Sequence, residues 1–126
     1  MSHIGTLELL HVDDEASARR VVRRLFTSRG HRVESCSTPK EALQAQRFYD
    51  VAILDFDLGA DLDGLELARR LLADARCGAV VFFTACDDCN RWGQAEKWGV
   101  VVSKTESPVL LVGTVHQAAA GGRRAP

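Results

Sequence analysis

One doubly wound α/β domain, a parallel sheet of five strands flanked by helices, is predicted by three features of this 126-residue chain. Short apolar runs alternate with segments of helical periodicity, the pattern of successive βαβ units. The apolar runs are continuous rather than alternating with polar residues, as befits strands buried on both faces. Five strand–helix pairs fill the length, which suits one domain with a core of its own and leaves no room for a second.

Leu7 to Val12 forms the first strand, and Asp13 and Asp14 follow it at once. Ala18, Val21, Val22, Leu25 and Phe26 keep helical spacing, with Arg19, Arg20, Arg23 and Arg24 opposite and Gly30 as the stop. Arg32 to Ser35 is a short second strand. Thr38 and Pro39 supply an N-cap and a first-turn proline for a helix reaching about Arg47. Val51 to Leu54 is the third strand, ending at Asp55. From Gly64 to Ala75, the residues Leu65, Ala68, Leu71 and Leu72 make an apolar stripe, and Cys77-Gly78 is expected to close that helix before a strand from Ala79 to Phe83 that ends at Thr84. Asp87 to Trp98 is a weaker helix interrupted by Gly93, and Val100 to Val102 a fifth strand ending near Lys104. Ser107-Pro108 opens a last helix through about Ala120. The domain is thus expected over residues 1–120, with a disordered tail over 121–126.

Composition excludes several function classes. A formal charge of −1 exerts no global pull on nucleic acid, and no apolar stretch approaches the ~20 residues of a membrane span. Nothing at the N-terminus marks it for export, so the cytoplasm is the expected compartment and the four cysteines are expected to be thiols.

Asp13, Asp14, Asp55, Thr84 and Lys104 each fall at or just past the carboxyl end of a predicted strand, the edge at which open α/β sheets bind ligands. Carboxylates about 4 Å apart at an effective dielectric near 20 repel by roughly 4 kcal/mol per pair, so the three acids call for a divalent cation or a proton. Oxygen donors favour Mg²⁺. In such a site Asp55 could attack phosphorus while Lys104 and Thr84 hold the remaining oxygens.

Taken singly, the same residues have plainer readings. Asp13-Asp14-Glu15 could charge a helix start, Thr84 could be a strand-end hydroxyl and Lys104 a solvated lysine. The arginines of the first helix form a solvated face or a docking surface for an acidic partner. His11 reads as a satisfied core histidine, and His3, His31 and His116 show no ligand spacing. Cys86-Asp87-Asp88-Cys89 has the C-x-x-C spacing of redox and zinc sites, but Cys36 and Cys77 make no second pair, and the two aspartates oppose a thiolate.

The stretches His11 to Glu15, Leu54-Asp55 through Asp63-Gly64-Leu65, Phe83-Thr84-Ala85 and Ser103-Lys104 together resemble the receiver domain of two-component response regulators, from Leu7 to about Ala120. The resemblance implies a flavodoxin-like sheet in the order 2-1-3-4-5. It implies that Asp55 accepts a phosphoryl group from a sensor histidine kinase or phosphotransfer protein, the chain catalysing its own phosphorylation and dephosphorylation. Mg²⁺ would be held by Asp13, Asp14, Asp55 and the backbone carbonyl of Asp57, with Asp14 favoured over Asp13 as direct ligand. Thr84 would be the switch, Lys104 would pair with the phosphate, and affinity for a downstream effector would change at the face of helix four, strand five and helix five, which could also form a homodimer. The chain departs from the family pattern in Thr105, where proline is usual, in Val101, where an aromatic is common, and in a spacing one longer than the commonest between Asp55 and Gly64. Asp57 adds another acid at the rim. Two alternatives stand beside this reading. One is a pseudo-receiver that binds partners without phosphorylation. The other is a phosphatase of the haloacid-dehalogenase type, suggested by Asp55-Phe56-Asp57 but opposed by chain length and motif order.

Overall fold

The computed structural model describes residues 5–59 and 62–125. The strands are β1 (Glu8–Val12), β2 (Arg32–Cys36), β3 (Tyr49–Leu54), β4 (Cys77–Thr84) and β5 (Gly99–Ser103). The helices are α1 (Ala16–Thr27), α2 (Pro39–Gln44), α3 (Gly64–Ala73), α4 (Cys89–Ala95) and α5 (Pro108–Gly121). All strands run parallel in the order β2-β1-β3-β4-β5. This is the flavodoxin-like receiver arrangement, and the central strands β1 and β3 bring the two acid-tipped ends side by side.

Two apolar layers arise because neighbouring strand residues face opposite ways. Leu10, Val12, Ala52, Leu54 and Phe82 pack under Ala42 of α2 and Leu67, Ala68 and Leu71 of α3. Leu9, Val51, Ile53, Val81 and Phe83 pack under Val22 and Phe26 of α1 and Leu111 and Val115 of α5. Full burial of each large side chain contributes about 1.5–3 kcal/mol, and Phe26, Phe82, Leu67, Leu71 and Leu111 are all at most 1% exposed.

Several boundaries differ from expectation. Helix α2 stops at Gln44 rather than near Arg47, because the Arg76 guanidinium donates to the carbonyls of Ala42, Leu43 and Ala45 and satisfies its open end. Helix α3 ends at Ala73, and Ala75 turns the chain with φ 52°. Cys77 and Gly78 therefore open β4 instead of closing the helix, and Gly78 is required there because a Cβ would collide with the Arg123 carbonyl. Helix α4 is confined to Cys89–Ala95 behind its cap Asp88, shorter than Asp87 to Trp98. Gly121 completes α5, and the Arg123 N–H donates to the Gly78 carbonyl at 3.0 Å, so the stretch expected as a loose tail is tied to the sheet there.

His31 and His116, unrelated by sequence spacing, meet at the amino-terminal edge with their Nε2 atoms 3.1 Å apart. The Leu7 N–H donates to His31 Nδ1 at 3.0 Å, which leaves the His31 proton on Nε2, facing His116. His3 lies outside the described residues.

Candidate functional site

Backbone pairing continues one residue past the ends of the central strands. The Asp13 N–H donates to the Cys36 carbonyl (3.1 Å) and the Asp55 N–H to the Val12 carbonyl (3.2 Å), which sets both acids level at the sheet edge. Asp13 is fully buried, Asp55 is 7% exposed and Asp14 faces solvent. One ligand oxygen from each of the three lies within 4.8 Å of the others. The cluster read from three separate positions is therefore a single site.

Lys104 Nζ reaches two of these acids, 2.9 Å from Asp13 Oδ2 and 2.9 Å from Asp55 Oδ2, and lies 3.6 Å from Glu15 Oε1. Its placement follows from the β4–β5 pairing, which the Lys104 N–H extends by donating to the Thr84 carbonyl at 2.8 Å. The following loop is held by Ser103 Oγ, which accepts from the Thr105 N–H (3.1 Å) and shares a 2.7 Å hydrogen bond with Thr105 Oγ1. The lysine thus reaches the site with threonine where the family usually has proline.

Burial alone would raise the Asp13 carboxyl, but the His11 ring, Lys104 and the Glu15 N–H on Oδ1 (3.0 Å) outweigh it and hold the group below its ordinary 3.8. Burial likewise works against the Lys104 ammonium, and Asp13 and Asp55 reverse this, raising it above 10.5. One ammonium among the carboxylates of Asp13, Asp14, Asp55 and Glu15 leaves an excess of negative charge, and the hard oxygen donors of the three aspartates fit a divalent ion such as Mg²⁺.

Thr84 is fully buried, and its hydroxyl accepts the Cys86 N–H at 3.1 Å. It is adjacent to the acids in the sheet but engaged with its own loop. Asp57 is not drawn into the cluster. Its carboxylate, 68% exposed, accepts from Arg91 Nη1 at 2.9 Å. The β3–α3 loop nevertheless passes over the acids, since a Cβ on Gly59 would lie 3.3 Å from Asp14 Oδ2.

His11 departs from the satisfied core residue expected. It is fully buried, neither ring nitrogen has a hydrogen-bond partner among the described residues, and Nε2 lies 3.7 Å from Asp13 Oδ2. Residue alternation along β1 could have shown that His11 and Asp13 share a face. For Arg91 no such local signal existed, since 34 positions separate it from Asp57. Cys36 and Cys77 are buried, and burial pushes their thiols to about 11 and about 12. Cys86 is half-buried and Cys89 exposed, with no further cysteine beside them.

The family model described as the response regulator receiver domain matches residues 9–116. Comparison with curated proteins returns no match. Among solved structures, the signal receiver domain of a modulated diguanylate cyclase from Desulfovibrio desulfuricans G20 is 25% identical, with a TM-score of 0.81 over 91% of this chain and 94% of that one. The Francisella response regulator 1452 receiver domain is 22% identical, with a TM-score of 0.80 over 91% and 98%. NtrX from Brucella abortus is 23% identical with a TM-score of 0.83, and the match covers 91% of this chain but 27% of that larger protein.

Proposed function

Because the chain belongs to the response regulator receiver family, we propose that it is a phosphoacceptor in histidine-to-aspartate signalling, with Asp55 as the acceptor. The observation that carries this is the convergence of Asp13, Asp14, Asp55 and Lys104 in one cluster at the carboxyl edge of β1, β3 and β5. An Asp55 carboxylate oxygen would attack phosphorus in a phosphohistidine or an acyl phosphate, and the bond to the donor's nitrogen or oxygen would break as the acyl phosphate on Asp55 forms. Mg²⁺, held by Asp13, Asp14, Asp55 and the Asp57 carbonyl, would supply charge neutralisation at the phosphoryl oxygens.

The protein's own groups do the rest. Lys104, already 2.9 Å from Asp55, stays to pair with the modified side chain. The Thr84 hydroxyl leaves the Cys86 N–H and turns toward the phosphoryl oxygens, which loosens the β4–α4 connection. That connection leads to the face of α4, β5 and α5, where Trp98, Val100, Val109 and Leu110 are exposed, and affinity for an effector or a second copy would change there. The donor would be a sensor histidine kinase or a phosphotransfer protein. Among the described residues no helix is long and apolar enough to cross a membrane.

The test is intact-mass measurement after incubation with acetyl phosphate and Mg²⁺. One phosphate is expected, stable in acid, labile to alkali and hydroxylamine, and missing from Asp55→Asn. Label retained by that variant removes Asp55 from the role, and no label on the wild type favours a pseudo-receiver. Continuous release of phosphate from a phosphomonoester would instead favour the phosphatase alternative.

A further inference from the structure

Arg91 is braced in a way its own helix does not demand. Its Nη1 donates to Asp57 Oδ1 at 2.9 Å and approaches Cys86 Sγ at 3.7 Å. Its Cζ lies 5.1 Å from the centroid of Phe56, the fully buried ring next to Asp55. The guanidinium is therefore clamped between the β3–α3 and β4–α4 loops, the two that frame the acceptor. The Asp57 side chain is 68% exposed, so the ion pair itself contributes little to stability. The strength of that ion pair does not explain so specific a placement.

Access to the acceptor does. Asp55 is 7% exposed, and the exposed acids Asp14, Glu15 and Asp57 lie one or two residues from the buried Asp13 and Asp55, so their charge opposes an anionic phosphodonor. Lys104 is engaged inside the pocket with three carboxylates, so it cannot meet the donor at the rim. Arg91 is paired with Asp57, two residues past the acceptor, its planar fork matches phosphoryl oxygens, and it is held ready on a carboxylate that water can replace.

Resting on the proposed phosphoacceptor reading, we infer that Arg91 is a specificity-determining residue for the phosphodonor. Its guanidinium receives the donor's phosphoryl oxygens at the rim, and Asp57 braces it while competing with the donor for it. Removal of the two partners should then act in opposite directions, whereas a merely structural latch would respond in the same direction to either loss.

The experiment measures the initial phosphorylation rate against acetyl phosphate concentration, with Mg²⁺, for wild type, Arg91→Gln, Asp57→Asn, the double variant and Arg91→Lys, at low and high salt. Arg91→Gln should lower the apparent second-order rate about five- to tenfold, with most of the change in the half-saturating donor concentration. Asp57→Asn should raise it about two- to threefold, the double variant should match Arg91→Gln, and Arg91→Lys should recover part of the loss. High salt should narrow every difference. Both single variants moving in one direction, or both staying within about twofold of a normally labelled wild type, overturns the inference and leaves the Asp55 reading intact. An unlabelled wild type overturns both.

Discussion

At the amino-terminal edge of the sheet several polar groups are paired one to one: Leu7 N–H on His31 Nδ1, His31 Nε2 against His116, Glu8 N–H on Asp50 Oδ2 at 2.7 Å, Arg123 N–H on the Gly78 carbonyl. At the carboxyl edge of the same strands, a single ammonium is divided among Asp13, Asp55 and Glu15, while His11 is buried beside them with neither nitrogen bonded. One edge joins its groups in local pairs and closes the fold. The other holds surplus negative charge at a cost in stability, the condition of a site that a cation and a phosphoryl group complete.

The largest expected effect separates the edges by steric exclusion. A Cβ on Gly64 would collide with the Asp55 carbonyl, and one on Gly99 with the Val80 carbonyl. Gly64→Ala and Gly99→Ala should each lose roughly 3 kcal/mol in urea unfolding, because backbone must move to admit the methyl. Only Gly64→Ala should also abolish phosphorylation by acetyl phosphate. If folded Gly99→Ala loses its label as completely, the two edges are not independent.

A smaller effect tests the shared ammonium. Lys104→Met should cost about 2 kcal/mol without Mg²⁺, since it leaves Asp13 buried against the others without its counter-charge. Added Mg²⁺ should then raise the urea midpoint of the variant more than that of the wild type. A variant as stable as wild type in both conditions contradicts the view that Lys104 relieves the cluster.

The smallest effect lies at the other end. Burial, then His116 and Arg29, lower the His31 imidazole below its ordinary 6.5, so the unfolded chain takes up a proton before the folded one does. Stability is complete above about 6.5 and falls as pH drops through the lowered folded value. Between pH 7.5 and 5.5 the wild type should lose up to about 1 kcal/mol in urea titrations. His31→Gln should lose less than half of that, and an undiminished loss in the variant would place the titrating group elsewhere.

The strands and the arrival of the acids at one sheet edge were legible because both follow from periodicity, whereas the strand order came with the family resemblance. A continuous apolar run marks a buried strand, parallel strands point their carboxyl ends one way, and Asp13, Asp55 and Thr84 directly follow such a run, with Lys104 one residue beyond another. Boundaries read less well where a long-range contact overrides a local signal. Cys77-Gly78 resembles a helix stop until Arg123 is seen occupying the space a side chain would need. Similarly, α2 ends early because Arg76, more than 30 positions away, takes its carbonyls.

The amino-acid pattern alone was enough to specify which residues reach the sheet edge, since side-chain period and strand direction are properties of the chain itself. It could not say what each group does on arrival. That Lys104 bridges Asp13 and Asp55, that the Thr84 hydroxyl rests on Cys86, that Asp57 turns outward to Arg91 and that His31 meets His116 are outcomes of how separate helices and strands pack. Such pairings depend on distances between side chains of different elements, which helix and strand periodicity leave undetermined until the layers close on one another.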